Sequence, residues 1–309
     1  MKLTMRPYHC EDDYWRIRAF LREVLLLNNL RIHSWEVPRL DYWRWHCIAN
    51  CGYGPPVEQV TYLWETPGGE IAAVLNPESR GEAFLQIDPR WRTPELEEEM
   101  IDLAEQQLAV TTPEGRRELA VWAHQGDTLR EDILTRRGYR QGSRPEYQRI
   151  RHLNGSIPDV PAPPGYTIRS LGGVDDLPAR SWASWRGFHP NEPDENYQGW
   201  EWYPNVQRCP LYRRDLDIVA EAPGGEIAAF CTMWYDDVTR VGMFEPVATV
   251  PEHQKLGLGK AVMFEAMRRV QHLGATHVTV GGFSEAANAL YASTVSPEYE
   301  LFYWWEKTL

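Results

Sequence analysis

The segment Pro67-Gly-Gly-Glu-Ile-Ala-Ala73 recurs without change as Pro223-Gly-Gly-Glu-Ile-Ala-Ala229, and a chain that repeats itself in this way reads as two copies of one folding unit. The match has company. Pro145-Glu146-Tyr147 returns as Pro297-Glu298-Tyr299, and the aromatic run Tyr42-Trp43-Arg44-Trp45 has a looser echo in Trp200-Glu201-Trp202-Tyr203. A length of 309 residues suits two domains of about 150 residues each. Between the copies, Ile157 to Gly165 reads Ile-Pro-Asp-Val-Pro-Ala-Pro-Pro-Gly, too rich in proline for a strand ladder or a helix. The expected boundaries are therefore a first domain over 1–153, a linker over 154–165 and a second domain over 166–309.

Each Pro-Gly-Gly-Glu element lies between strand-like runs. These are Thr61 to Glu65 and Ile71 to Leu75 in the first copy, Asp217 to Glu221 and Ile227 to Tyr235 in the second. Both pairs predict hairpins, with the Gly-Gly step supplying positive φ at the turn.

After the second hairpin, the β-branched or small residues Val247, Ala248, Thr249 and Val250 predict a strand that Pro251 ends. Beyond Gly259, Val262, Met263, Ala266, Met267, Val270 and Leu273 recur at helical spacing, and Gly274 stands where a helix C-terminus favours a left-handed residue. In the connecting loop, Gly257 and Gly259 let the backbone approach a ligand closely, and the first N–H groups of the helix lack intrahelical partners. An anion suits that position. Lys255 and Lys260 add positive charge. A Walker loop is excluded, because Gln254 stands where it needs glycine and Ala261 where it needs Ser or Thr; a dinucleotide fingerprint is excluded by Val262 at its third glycine site.

Gln254-x-x-Gly257-x-Gly259, directly after a strand ending Val250-Pro251, resembles the pyrophosphate-binding motif of the GNAT superfamily of acyl-CoA-dependent N-acyltransferases. The resemblance implies an α/β (α+β) fold of two tandem domains, each a mixed, mostly antiparallel sheet flanked by helices. It also implies acetyl-CoA as cosubstrate, held by Ala248, Thr249, Val250, Gln254, Lys255, Leu256, Gly257, Leu258, Gly259 and Lys260. The family commonly uses a tyrosine as general acid on the helix after the next strand, following an asparagine. Here Ser284 is a candidate N-cap, and Asn288 and Tyr291 are spaced to share one helical face. Asn288 is thus expected to touch the coenzyme and Tyr291 to protonate the leaving thiolate. Relatives often place a glutamate on the strand before the loop as general base. Glu245 is the candidate, with Asp236, Asp237 and Glu285 as rivals; strand alternation would put Glu245, Val247 and Thr249 on one face. The family's closing Gly-Phe turn is matched by Gly138-Tyr139 in the first copy but not in the second, where Ala292 to Pro297 stands instead.

The first copy departs from the motif. Aligning Ile87-Asp88-Pro89 with Thr249-Val250-Pro251 places Arg92 opposite Gln254, Glu95 opposite Gly257 and Glu97 opposite Gly259. Carboxylates there would repel a pyrophosphate, so the first domain reads as a degenerate copy that does not bind the coenzyme. A tandem arrangement with one degenerate half is similar to that of mycothiol synthases and some aminoglycoside-modifying members. In the second copy, Asp175 to Phe188 predicts a helix with Trp182 and Trp185 on one face. The irregular stretch to Arg214, rich in Trp, Tyr and acids, would either line the acceptor cleft or pack between the halves.

Function is thus expected to be transfer of acetyl from acetyl-CoA to a primary amine of a small molecule or peptide. The alternative is a non-catalytic acyl-CoA-binding or sensory module on the same scaffold. A net charge of −12 argues against a nucleic-acid partner. No run approaches a membrane span, and the first residues lack a signal-peptide core, so a cytoplasmic location and no membrane partner are expected. Five cysteines suggest buried reduced thiols, and Cys47 and Cys51 beside His46 lack a second ligand pair, so no metal is expected. A monomer is favoured over a dimer, since a duplicated domain can replace a partner.

Overall fold

The computed structural model describes residues 2–309. In the first repeat the chain forms β1 (Thr4–Pro7), α1 (Glu11–Leu27), α2 (Val37–Tyr42) continued by a π-helical stretch Trp43–Ile48, α3 (Val57–Val60), β2 (Tyr62–Glu65), β3 (Ile71–Asn76), β4 (Glu82–Ile87), α4 (Pro94–Gln107), β5 (Val110–Thr111), β6 (Arg117–His124), α5 (Thr128–Arg136), β7 (Arg140–Gln141) and β8 (Glu146–His152). The second repeat forms β9 (Thr167–Ser170), α6 (Leu177–Phe188), α7 (Tyr203–Gln207), β10 (Asp217–Glu221), β11 (Ile227–Asp236), β12 (Val241–Thr249), α8 (Leu258–His272), β13 (His277–Gly282), α9 (Glu285–Thr294) and β14 (Glu300–Thr308).

Both Pro-Gly-Gly-Glu segments are hairpin turns of the same design. The second glycine of each, Gly69 and Gly225, has positive φ, and the closing bonds match: Thr66 N–H donates to Glu70 O and Ala222 N–H to Glu226 O, each at 2.9 Å. A register shift follows at the same place, between Trp64 and Glu65 and between Ala220 and Glu221.

Two compact units result, one of Met1–Tyr147 with Glu300–Leu309 and one of Gln148–Tyr299. This differs from the boundaries expected at 153 and 166. The first unit's strands run β1-β2-β3-β4-β6-β14, and the second's run β8-β13-β12-β11-β10-β9. The strands at the two Pro-Glu-Tyr segments, β8 and β14, therefore each complete the sheet formed by the other repeat. In the first unit β1–β2, β2–β3, β3–β4 and β6–β14 are antiparallel and β4–β6 is parallel; in the second β9–β10, β10–β11 and β11–β12 are antiparallel and β12–β13 is parallel.

In the second unit α8 lays Val262, Met263, Ala266, Met267 and Val270 on one face of β10–β12, in a core with Cys231, Met233 and Phe244. Burying each of the valine, methionine and phenylalanine side chains is worth about 1.5–3 kcal/mol. On the opposite face, α6 packs Leu177 and Ala183 near Phe230 and Val219. Arg180 of α6 is buried over the Phe230 ring, 3.5 Å from its centroid, and reaches Asp217 Oδ1 at 3.4 Å; Tyr203 and Tyr212 donate their hydroxyls to Asp217 Oδ2 at 2.5 and 3.0 Å. These bonds pin α6 and the irregular segment after it to β10. Trp182 and Trp185 share a face, as expected, with ring centroids 5.1 and 6.3 Å from that of Tyr197. Among the described residues no helix is long and apolar enough to cross a membrane. All five cysteines are free; Cys47, Cys209 and Cys231 are buried, but Cys10 and Cys51 are exposed, against the expectation that the thiols are buried.

Candidate functional site

β12 has β11 along its whole length but β13 along only part of it. Parallel pairing with β13 covers Val241, Gly242 and Met243 and stops there, while antiparallel pairing with β11 continues to Thr249 opposite Ala229. From Phe244 to Thr249 the backbone of β12 is thus open on one side, and Glu245 through Thr249 are partly exposed. Such a splay leaves main-chain donors and acceptors for a ligand to use.

Glu245 lies in the middle of β12 rather than at its start. The strand carries extra length there, since Cys231 pairs with Val247 but Met233 with Phe244, and Glu245-Pro246 is a cis peptide. Phe244 and Val247 both pack in the core under α8, which plain alternation forbids. The expectation that Glu245, Val247 and Thr249 share one face by alternation is therefore corrected: the bulge moves Glu245 out of that series. Trp234 Nε1 donates to Glu245 O across the bulge.

The loop after β12 turns on two left-handed residues, Lys255 with φ 64° and Gly257 with φ 84°. Gly257 caps α8 with no side-chain bond, and a Cβ there would meet nothing within 4 Å. Gly259 is more closely surrounded. Its Cβ would stand 3.2 Å from the Leu290 side chain of α9 and 3.3 Å from Thr249 Oγ1 of β12, so a side chain there requires those neighbours to give by a few tenths of an ångström. Among the described residues, the N–H groups from Lys255 to Lys260, which include those of Leu256 and Leu258, meet no acceptor. Gln254 Nε2 folds back to Thr249 O at 3.2 Å and Val250 N–H donates to Ala228 O at 2.9 Å, which holds the loop against the strand end. A row of unpaired donors at a helix start, with Lys255 and Lys260 beside it, fits an anionic diphosphate. His253 contacts Tyr166 Oη at 2.8 Å through Nδ1.

On the other side of the splay, Ser284 Oγ accepts from Ala287 N–H at 3.1 Å and caps α9. Tyr291 is 7% exposed. Burial first, then the charge of Glu245, hold its phenol well above the ordinary tyrosine range, with Arg149 acting in the opposite sense. Tyr291 and Glu245 thus lie within each other's field. Gly282, at the end of β13, backs onto this helix: a Cβ there would be 3.0 Å from the Tyr291 ring and 3.3 Å from Asn288 Oδ1. Asn288 Nδ2 donates to Gly282 O at 3.2 Å, and its Oδ1 accepts from Arg149 Nη1 at 2.5 Å. Sequence reasoning passed over both Gly282 and Arg149. The available signal was the alternation of Arg149 and Arg151 just after the repeated Pro-Glu-Tyr.

The equivalent place in the first unit is filled from within. β4 pairs with β6 only at Glu82 and Ala83 and then splays as β12 does. Into that gap α5 inserts Arg130, whose Nη1 donates to Trp122 O at 3.2 Å and Nη2 to Leu85 O at 3.3 Å. Its Nε donates to Glu97 Oε2 at 2.9 Å, and Arg92 Nε reaches Glu97 Oε1 at 2.6 Å. The helix start is closed as well, because Thr93 Oγ1 accepts from Leu96 N–H at 3.2 Å. Counted from the helix caps, Thr93 and not Glu95 stands opposite Gly257, and Glu97 stands opposite Ala261; the loop in the first unit is shorter, which corrects the alignment drawn through the strand ends. By the same count from Asp127 and Ser284, Arg130 matches Ala287 and Leu134 matches Tyr291.

Residues 176–294 match the sequence model of the Acetyltransferase (GNAT) family. The second repeat is a GNAT domain. Mycothiol acetyltransferase of Paenarthrobacter aurescens (strain TC1) is 25% identical over 257 residues, covering 77% of this chain and 74% of that protein. Among solved structures, a GCN5-related N-acetyltransferase from Sphaerobacter thermophilus superposes with a TM-score of 0.67 at 18% identity, covering 99% of this chain and 95% of the other. A tandem GNAT protein from the clavulanic acid biosynthesis pathway gives 0.62 at 12% identity, with 99% and 98% covered. The fold of the whole chain is therefore that of tandem GNAT proteins, and the second repeat belongs to an acetyltransferase family.

Proposed function

We propose that the second GNAT domain transfers the acetyl group of acetyl-CoA to a primary amine of a small molecule or peptide, by direct attack in a ternary complex. The observation that carries this reading is the run of N–H groups from Lys255 to Lys260 without acceptors, set beside the open edge of β12. The diphosphate would take those donors, together with Gln254, Lys255, Leu256, Gly257, Leu258, Gly259 and Lys260. The thioester arm would run along Ala248, Thr249 and Val250, where main-chain groups polarise the acyl carbonyl. Acetyl-CoA supplies the activated acyl group; the chain supplies position and proton transfer.

Glu245 is assigned as base, taking the amine proton directly or through water, and Tyr291 as acid toward the departing thiolate. Their opposed tasks suit their surroundings. Burial and the nearby Glu245 keep Tyr291 protonated at neutral pH, which is the form an acid must hold at the start of turnover. Asn288 is assigned to the coenzyme. The first domain, with Glu97 and Arg130 in the place of ligand, is assigned no coenzyme of its own.

Calorimetric titration with acetyl-CoA, followed by mass spectrometry of an amine panel, tests the reading. One equivalent should bind, and at least one amine should gain an acetyl group. Tyr291→Phe should lose about 10²–10⁴ in rate with coenzyme affinity retained. Binding without transfer to any amine would favour a sensory module, and two equivalents would show that the first domain also binds.

A further inference from the structure

We propose that Arg149, on the strand that ends the first repeat, is a positioning residue for the acyl-transfer site of the second, holding Asn288 and the helix that carries Tyr291 in register. The inference rests on the reading that Asn288 meets the coenzyme and goes beyond it, because nothing in the motif of the second repeat points to residue 149.

α9 ends without the glycine that would adopt a left-handed conformation and close its last carbonyls; its C-cap is Val295, with φ −96° and ψ −69°. Two arginines from β8 supply donors at the helix end and just past it. Arg151 Nη1 donates to Thr294 O at 2.5 Å, and Arg149 Nε donates to Ser296 O at 3.1 Å. Positive charge at a helix C-terminus is also favourable to the helix dipole.

Arg149 then does something Arg151 does not. Its Nη1 donates to Asn288 Oδ1 at 2.5 Å, while Asn288 Nδ2 donates to Gly282 O at 3.2 Å. A charged donor on one end of the amide and a carbonyl on the other fix which way the amide faces, and one of its two N–H groups is left for a ligand. Arg149 itself is 3% exposed and lies over the Tyr299 ring, 5.2 Å from its centroid, so its own rotamer is held. The guanidinium is therefore a rigid strut between the end of α9, the asparagine on its face and the end of β13. Around the Tyr291 phenol the charged and titratable groups are Glu245 from β12, Cys231 from β11 and Arg149 from β8.

The test uses the full chain and coenzyme A as probe. Binding is measured by calorimetry for wild type, Arg149→Gln, Arg149→Lys, Arg151→Gln, Asn288→Ala and the double variant Arg149→Gln/Asn288→Ala. The Tyr291 ring resonance, assigned by its loss in Tyr291→Phe, is followed by NMR of carbon-labelled tyrosine at neutral pH. Arg149→Gln should weaken binding about tenfold, the scale of a lost charged hydrogen bond, and shift the Tyr291 resonance. Arg149→Lys should recover part of both. Arg151→Gln should cost thermal stability yet bind within about twofold of wild type, and the double variant should bind no worse than Asn288→Ala alone. Equal weakening in Arg149→Gln and Arg151→Gln, or independent losses in the double variant, would reduce Arg149 to a helix cap and overturn the proposal. Absence of binding in wild type is a separate result: it removes the coenzyme reading, and the positioning role with it.

Discussion

Arg130 donates through Nε to Glu97 Oε2 at 2.9 Å, and Glu97 is fully buried. The pair stands in the first unit where the second has Ala287 and Ala261, and it closes a gap between β4 and β6 that has an open counterpart between β12 and β13. Copying the pair into the second unit should therefore close that gap too. Ala261→Glu/Ala287→Arg is expected to abolish the calorimetric signal for acetyl-CoA at concentrations that saturate wild type, with the circular dichroism spectrum retained. Unchanged affinity in a folded variant would show that the coenzyme does not use the splay.

The same pair is a stability element where it stands. Removing one partner of a buried ion pair leaves a charge without compensation and costs about 3–5 kcal/mol. Glu97→Ala should lower unfolding free energy on that scale, because the buried Arg130 loses its ion-paired carboxylate while Arg92 keeps Asp127, and Arg130→Ala by less, because Arg92 still reaches Glu97. Glu97→Leu/Arg130→Leu should cost clearly less than the sum of the single changes. Urea denaturation of the four chains checks it; additive losses would mean that carboxylate and guanidinium act independently.

The elements best read from sequence were those specified by local chemistry. The Pro-Gly-Gly-Glu hairpins, the proline that ends β12, the glycine loop and the Ser284 cap each depend on neighbours a few residues away, and all stand where the residues place them. What the sequence hid depends on distant partners. A Pro-Glu-Tyr segment marks where a strand begins, but not which sheet edge the strand joins, so β8 and β14 were assigned to their own repeats. The bulge at Glu245 was hidden for a related reason, because strand alternation assumes an unbroken ladder. Glu97 reads from the sequence as a carboxylate of the degenerate loop and Arg130 carries no local signal, and only the fold shows that they meet in a strand gap. Arg149 needed the same knowledge, since its partner Asn288 is far along the chain.

Glu82 on β4 predicts a pH effect. Burial, then the charge of Glu78, raises its carboxyl from the usual carboxylate range to about 7. A raised value means the folded chain keeps a proton that the unfolded chain has released. The contribution is therefore fully present below the ordinary carboxylate value and is lost as pH rises through about 7. Glu82→Gln, neutral at every pH, should exceed wild type by about 1–2 kcal/mol at pH near 8 and match it near pH 4.5. His124 acts oppositely, because burial and His33 hold it down to about 4, so its contribution is present above the ordinary histidine value and lost as pH falls through about 4. Thermal unfolding of wild type and Glu82→Gln across this range checks the sign; a difference independent of pH would mean that Glu82 does not titrate in the folded chain.

Phe302 tests the strand assignment. It belongs to the second repeat by sequence, yet it is 5% exposed with ring centroids 5.2 Å from Trp122 and 4.4 Å from His124, both on β6 of the first unit. Its backbone pairs with His124 in the antiparallel ladder between β14 and β6. Phe302→Ala should cost about 3–5 kcal/mol through the lost contacts and the cavity left behind. Where that loss appears decides the matter. Hydrogen exchange should accelerate in Arg117–His124 and in Glu82–Ile87, which lie on the sheet that β14 completes, while Ile227–Asp236 keeps its protection. Acceleration confined to residues 217–282 would mean that the strand stabilises the repeat it is encoded in, and that the exchange of terminal strands does not hold in solution.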